Sequence, residues 1–349
     1  MKNPNPTSCD FPLIRVAYLN LFMDILGKDD RDNPAFLQRF NLPPNLAGKP
    51  DAYLPLRHVW SVVQWRARNI DVEEFTVRLG YRLRVVHFGK ELCSALQRAP
   101  SLGSALEQFT KLANRELSNS YYRLVRNGDE VRICSSVADL PVTDIDRIDE
   151  WLRILSLMTV IRHFTGDGWM PQAIMLRSRH EPGATIRNAF PRTDIYSGRA
   201  ETAVNISASL LSLATTRNYR RHVTAGITRG GIVAGAAPDA DIWSFPAALQ
   251  EIVQTYLDNG YPDINSMANV IGCSVRTLQR RLQQFDLSYT DIVQRARFSV
   301  ATDLLRDPET RVIDAAIAVG YDDPSHFTRA FKRMAGISPN QYRKLNYVS

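Results

Sequence analysis

The sequence predicts an α+β N-terminal domain followed by an all-α C-terminal domain, in which two helix-turn-helix units are joined by a long helix. Three observations carry this. Up to residue 222 strand-like and helix-like patterns alternate, whereas after residue 245 every periodic stretch has helical spacing. Between them, four Gly and five Ala make up nine of the eighteen residues 223–240, a composition with little to bury and much backbone freedom. Finally, Ala268-x-x-x-Gly272 recurs as Ala316-x-x-x-Gly320. The expected division is therefore residues 11–222, a flexible linker at 223–245, and residues 246–349.

In the first part, residues 13–26 carry apolar residues at helical spacing. Leu54-Pro55-Leu56 leads into a helix through Val59, Val62, Val63 and Ala67. Ser101 is a candidate N-cap for a helix with Leu102, Ala105, Leu106, Phe109 and Leu112 on one face. Asn127-Gly128-Asp129 separates two strand-like runs, 121–126 and 130–136. Asn-Gly tolerates positive φ, so the three residues predict a β-hairpin. A long helix is expected over 143–164, ended by Gly166. Strands are expected at 172–177 and 202–206, and a last helix at 207–222.

In the second part, a small residue lets the second helix of each unit cross the first, and Gly ends the first helix in a left-handed conformation. Ser274 then caps a helix over 275–285, whose Leu278, Leu282 and Phe285 share a core face. Arg276, Gln279, Arg280 and Gln283 lie opposite. After Gly320, Asp323 caps and Pro324 opens a helix over 324–334. Its stripe is Phe327, Phe331 and Met334, with Ser325, His326, Thr328, Arg329 and Lys332 outside it. Gly336 ends this helix and Ser338-Pro339 starts a short one. Between the units, Ser288 and Asp291 form a capping-box start for 289–306, with Ile292, Ala296, Val300, Leu304 and Leu305 buried. Such a strut is ~27 Å long. It can hold two reading helices about one DNA turn, ~34 Å, apart.

Bulk charge does not identify a partner. The chain carries +7, yet residues 246–349 hold 12 Lys+Arg against 11 Asp+Glu. Placement does: no acid occurs in 275–285. An α-helix fills a major groove, where Arg pairs with guanine and Gln with adenine, while nearby cations hold phosphates. These residues imply double-stranded DNA as partner. Two such units within about 100 residues argue against an all-helical bundle whose arginines are only a solvated face.

Other classes find less support. No apolar run reaches the ~18 residues of a membrane span. Residues 1–6 hold no signal-peptide core, so a cytoplasmic protein with no membrane partner is expected. Cys9, Cys93, Cys134 and Cys273 form no CxxC motif, and buried reduced thiols are expected. The six histidines, His58, His87, His163, His180, His222 and His326, show no metal spacing. No phosphate loop, HExxH pair or GxSxG elbow occurs. Neither catalytic residues, nor a metal, nor a cofactor is expected.

The stretch 316–343, above all Gly320-Tyr321-Asp322-Asp323-Pro324-Ser325-His326-Phe327-Thr328-Arg329-Ala330-Phe331-Lys332 and Gly336-Ile337-Ser338-Pro339-Asn340-Gln341-Tyr342-Arg343, resembles the signature of the AraC/XylS family of bacterial transcription regulators. The resemblance covers about 100 residues. It implies two units that read adjacent major grooves, and activation of promoters with RNA polymerase as a partner. The implied base-reading positions are Arg276, Thr277, Gln279 and Arg280 in the first unit, and Ser325, His326, Thr328 and Arg329 in the second, with Pro324 at the edge. Arg281, Gln283, Lys332, Arg333, Arg343 and Lys344 are the expected phosphate contacts. The second unit matches the family pattern closely. The first is the more variable one, and hence the expected source of site specificity.

Residues 11–222 resemble, more loosely, the effector domain of the ornithine-utilisation and VirS-like subgroup. The resemblance rests on Leu54-Pro55-Leu56, Arg78-Leu79-Gly80, Ser101-Leu102-Gly103-x-Ala105-Leu106 and Asn127-Gly128-Asp129-x-Val131. It implies an α+β sensor for a small molecule or a self-association domain forming a homodimer, and not the β-barrel of the arabinose sensor.

Trp60 and Trp65 beside Arg57, Arg66 and Arg68 either line a pocket for an acidic or aromatic ligand or are half-buried rings with exposed arginines. His163, near Trp151 and Phe164, is either a ligand contact or a core histidine. Arg217, Arg220, Arg221 and His222 either touch DNA or the other domain or complement a helix C-terminus. Two rival readings stay open. One is a thiol enzyme fused to the DNA-binding module, which needs a reactive Cys9, Cys93 or Cys134. The other is an N-terminal domain that binds no ligand and only self-associates.

Overall fold

The computed structural model describes residues 11–27, 30–31, 33–67, 70–137, 144–214, 243–257 and 262–346. In chain order these form β1 (Leu13–Arg15), α1 (Val16–Leu26), α2 (Pro34–Arg39), β2 (Tyr53–Pro55), α3 (Leu56–Arg66), α4 (Val72–Arg82), α5 (Lys90–Arg98), α6 (Leu102–Leu112), β3 (Ser120–Asn127), β4 (Glu130–Val137) and α7 (Asp144–Thr165). Next come β5 (Ala173–Met175), α8 (Ala184–Ala189), β6 (Asp194–Tyr196) and β7 (Thr202–Ser207). The C-terminal helices are α9 (Phe245–Tyr256), α10 (Ile264–Ile271), α11 (Val275–Gln283), α12 (Tyr289–Leu304), α13 (Val312–Ala318), α14 (Pro324–Ala335) and α15 (Pro339–Asn346).

Two compact units result. One comprises Ala17–Asp29 and Val59–Asp239; the other comprises Met1–Val16, Asp30–His58 and Ala240–Ser349. The second unit therefore gathers two N-terminal stretches around the C-terminal helices, which a single cut near residue 223 does not express.

The first unit is built on a five-stranded sheet of order β3-β4-β7-β5-β6. β3 and β4 pair antiparallel from Ser120↔Val137 to Asn127↔Glu130. The expected hairpin is present, but its loop is Gly128-Asp129 and only Gly128, at φ +60°, is left-handed. Asn127 closes the ladder instead, because Gly in the first loop position already matches the strand twist. The first five residues of the central strand β7 are all buried. α7 is buried on nearly every side from Ile148 to Ile161 and forms the spine of this unit. At Gly80 a Cβ would come 3.0 Å from Leu155 Cδ2, so the missing side chain is what lets α4 approach α7. Ser101 caps α6 through the Ser104 N–H at 3.3 Å, as expected.

Two expected helices are shorter than their periodicity. Residues 13–15 are a strand, because Leu13, Ile14 and Arg15 pair with Pro55, Leu54 and Tyr53, and a tertiary partner overrides local preference. Among the described residues of that stretch, 207–214, only Ala208–Ser212 coils, as a 3-10 turn. Leu213 is extended, and its carbonyl accepts the N–H of Leu102 at 2.9 Å. Residues 215–222, with Arg217, Arg220, Arg221 and His222, lie outside the described residues, as do 223–242 of the expected linker. At its described end, Trp243 and Phe245 are buried, and α9 already starts at Phe245.

In the second unit the β1–β2 ribbon packs with α9. Phe11 meets Phe245 edge-on at 5.7 Å and Tyr53 meets Trp243 at 5.0 Å. Arg15, itself buried, is ion-paired with Asp51. The Tyr256 hydroxyl donates to the Asn41 carbonyl at 2.6 Å. No helix among the described residues is long and apolar enough to cross a membrane.

Candidate nucleic-acid interface

Each helix-turn-helix is assembled by its caps. Asp263 opens α10 by accepting the N–H groups of Asn265 and Ser266; the Ser266 hydroxyl, which donates at 2.6 Å, and then these backbone bonds hold its carboxyl below the usual carboxylate range. Gly272, at φ +76°, ends it. Ser274 then accepts the Thr277 N–H at 3.1 Å and starts α11. In the second unit Gly320 has φ +78°, and Asp323 accepts the Ser325 N–H at 2.7 Å to start α14, with Pro324 in its first turn. The capping box of α12 forms as expected: Ser288 and Asp291 each accept the other's backbone N–H. Ordered to Leu304, α12 has 16 residues and is ~24 Å long.

The apolar stripes set which faces remain outside. Leu278 and Leu282 are fully buried, which turns Arg276, Gln279, Arg280 and Gln283 outward, all exposed, at i, i+3, i+4 and i+7. Phe285 is only half-buried, and α11 ends at Gln283 rather than Phe285. In α14, Phe327 and Phe331 join Ala301, Leu305, Ala315, Ala316 and Val319 in one cluster. Ser325, His326, Arg329, Lys332 and Arg333 are exposed on the opposite side. Met334, expected in the stripe, is 37% exposed, because the aromatic stack of Phe298, Phe331 and Tyr342 already fills that end.

Two expected base readers spend their hydroxyls locally. Thr277 Oγ1 lies 2.9 Å from Ser274 Oγ, and Thr328 donates back to the Pro324 carbonyl at 2.9 Å. His326 Nε2 lies 3.6 Å from Asp323. Of the expected phosphate contacts, Gln283, Lys332, Arg333 and Lys344 are exposed. Arg281 lies 4.6 Å over the Phe245 ring, and Arg343 donates to the Pro308 carbonyl at 3.0 Å, so both also carry packing roles.

Arg57, Trp60 and His163 do not converge on one pocket. Trp60 is 3% exposed and stacked on Phe22 at 5.6 Å, in the core of the sheet-bearing unit. His163 is half-buried near the end of α7, edge-on to Phe164. Arg57 belongs to the other unit, where its guanidinium donates to the carbonyls of Asn269 and Val270, the latter at 2.5 Å.

The sheet-bearing unit has a different cleft, which sequence reasoning missed. Tyr18, Phe109, Leu117 and Leu152 supply its apolar wall, and Glu116, Ser120, Tyr122 and Arg153 its polar one. Its cavity is small, about 10 Å³, room for about one water molecule. Arg153 and Asp149 are ion-paired one turn apart on α7, both buried. Arg153 Nε and Ser120 Oγ are nonetheless buried with no hydrogen-bond partner. The Tyr122 hydroxyl donates to the Arg153 carbonyl at 3.2 Å, and burial pushes its pKa well up. No local sequence signal marks this cleft, since its walls come from residues 18, 109–122 and 152–156.

The thiols do not suit a nucleophile. Burial pushes the Cys93 thiol up, and burial with a hydrogen bond to Glu201 pushes Cys134 up to about 12. Cys9 lies outside the described residues.

Comparison with known proteins agrees with this anatomy. A family model described as the arabinose-binding domain of AraC transcription regulator, N-term, matches residues 31–214, and a helix-turn-helix domain model matches 267–345. The chain is 23% identical to the HTH-type transcriptional regulator VirS of Mycobacterium tuberculosis over 351 residues, covering 97% of this chain and 98% of that one. It is 32% identical to the HTH-type transcriptional activator RhaR of Yersinia pestis over 98 residues, 28% of this chain and 32% of RhaR. The crystal structure of the transcriptional regulator CdpR from Pseudomonas aeruginosa aligns over 93% of this chain and 98% of that chain, at 20% identity and a TM-score of 0.38.

Proposed function

The chain belongs to the AraC family of transcription regulators, and on that premise we propose that it reads two adjacent major grooves of promoter DNA with α11 and α14, under the control of a small molecule held in its N-terminal domain. The observation that carries the DNA reading is the pair of exposed faces. Arg276, Gln279, Arg280 and Gln283 stand on one, and Ser325, His326, Arg329 and Lys332 on the other, each backed by a buried apolar stripe. Arg280 and Arg329 are the main base readers. Lys332, Arg333 and Lys344 hold phosphates. Activation, through contact with RNA polymerase, is the proposed direction, supported by the similarity of the C-terminal helices to an activator.

The effector site is the cleft around Arg153, which must widen from its present room for about one water to admit a ligand. Its buried guanidinium nitrogen and Ser120 hydroxyl offer donors to a carboxylate or carbonyl, and the aromatic wall covers an apolar body. Arabinose, named for the family's N-terminal domain, is one candidate. The charged lining of Arg153 and Glu116 favours a small molecule with ionised groups.

Selection of bound sites from a random DNA pool tests the reading, with wild type, Arg280→Ala and Arg329→Ala run side by side. A bipartite motif with halves about 10 bp apart, each variant losing one half, is expected. An enriched motif that neither variant alters would refute the assignment of the helices. For the effector, thermal-shift screening of charged metabolites should give hits that Arg153→Met abolishes.

A further inference from the structure

We propose that Arg57 is a positioning residue for the first reading helix: by clamping the turn between α10 and α11 from outside the helix-turn-helix, it sets specificity at the half-site that α11 reads. This rests on the DNA reading proposed above.

The last turn of any helix leaves carbonyls without intrahelical partners, and cations are favoured there. At the end of α10 the Asn269 carbonyl accepts the Gly272 N–H at 3.2 Å, and a further donor comes from far away in sequence. Arg57, 212 and 213 residues earlier, donates to the carbonyls of Asn269 and Val270. The contact is built into the turn, because a Cβ on Gly272 would lie 1.5 Å from Arg57 Nη1 and 2.5 Å from its Cζ. Gly272 thus serves two ends at once: the left-handed turn, and the space that admits the guanidinium.

The second unit has the same device with a local source. Arg297 of α12 donates to the Gly320 carbonyl at 3.1 Å and lies 4.8 Å over the Tyr321 ring. A Cβ on Gly320 would meet its Nη2 at 3.1 Å. Each turn glycine therefore faces an arginine. The second arginine belongs to the connecting helix and travels with the module. The first lies in α3, whose next residues Val59, Trp60, Val62 and Val63 are buried in the core of the sheet-bearing unit.

The test uses the full-length chain on the selected bipartite DNA, intact and with either half scrambled. The proteins are wild type, Arg280→Ala, Arg57→Met and Arg297→Met. Met keeps the apolar stem and removes the donors, and thermal melts identify any variant that fails to fold. Arg280→Ala marks the half read by α11. The expected result is that Arg57→Met loses about tenfold in affinity on intact DNA and nothing more when that same half is scrambled. Arg297→Met should show the mirror pattern at the other half. Footprints of Arg57→Met that match wild type at both halves, or equal losses at both halves from Arg57→Met and Arg297→Met alike, overturn the proposal while Arg280→Ala still loses its half. No effect of Arg280→Ala overturns the DNA reading itself.

Discussion

Thr255 receives the backbone N–H of Tyr53 at 3.3 Å, and its single hydroxyl proton is shared between the carbonyls of Tyr53 at 2.9 Å and Glu251 at 3.0 Å. One side chain of α9 thus satisfies the edge of β2 across 202 residues. It is 2% exposed, so water cannot replace it. Thr255→Val keeps the shape and removes the hydroxyl from the Tyr53 N–H and carbonyl. The expected cost is about 1–3 kcal/mol. Urea unfolding monitored by tryptophan fluorescence measures it, and Thr255→Ser should recover most of the loss.

The turn of the second unit is equally specific. Gly320→Ala puts a side chain at φ +78° and crowds Arg297. The left-handed conformation alone costs about 1–2 kcal/mol. A lower melting temperature is expected, with binding weakened first at the half-site of α14. A variant as stable as wild type would show that the turn relaxes freely.

Lys332 separates phosphate holding from base reading. It is exposed beside Arg329 on α14. Lys332→Ala should weaken all DNA sequences alike and reduce the salt slope of binding by about one unit. Titrations at several salt concentrations on cognate and random duplexes decide it. A sequence-dependent loss would reassign Lys332 to base contact.

His58 makes stability fall in acid. Burial, then the adjacent Arg57 charge, hold its pKa down to about 4 from the ordinary 6.5. The unfolded chain takes up the proton near 6.5, while the folded chain resists until about 4. The contribution is therefore fully present above pH 6.5 and is lost as pH falls toward 4, by about 3 kcal/mol at the low end. His58→Gln should flatten the difference in unfolding free energy between pH 7 and pH 4.5. An unchanged slope would place the titration elsewhere.

Cys134 should be inert in the folded state. Its thiol is buried, donates to Glu201 at 3.1 Å and is pushed up to about 12, so hardly any thiolate exists at pH 8. Mass spectrometry after iodoacetamide treatment should find residue 134 unmodified until the chain is unfolded in urea. Fast native labelling there would revive the reading of a thiol enzyme.

The C-terminal module was legible in the sequence because its information is local. A helix-turn-helix is specified by residues a few positions apart: Gly272 and Gly320 for the left-handed turns, Ser274 and Asp323 for the caps, and Leu278, Leu282, Phe327 and Phe331 for the stripes. Steric and hydrogen-bonding rules at that range act without knowledge of the rest of the fold. The Asn127–Glu130 hairpin and the long α7 were legible for the same reason. What the tertiary structure alone decided are pairings across distance. Residues 13–15 became a strand because Tyr53–Pro55 lay beside them, and Trp60 became core because Phe22 stacked on it. The buried donors of Arg153 and Ser120 came together from separate elements. Arg57 closed a turn 212 residues away. Such contacts gain their energy from desolvation and from geometry that only packing creates, and no periodicity in the chain records them.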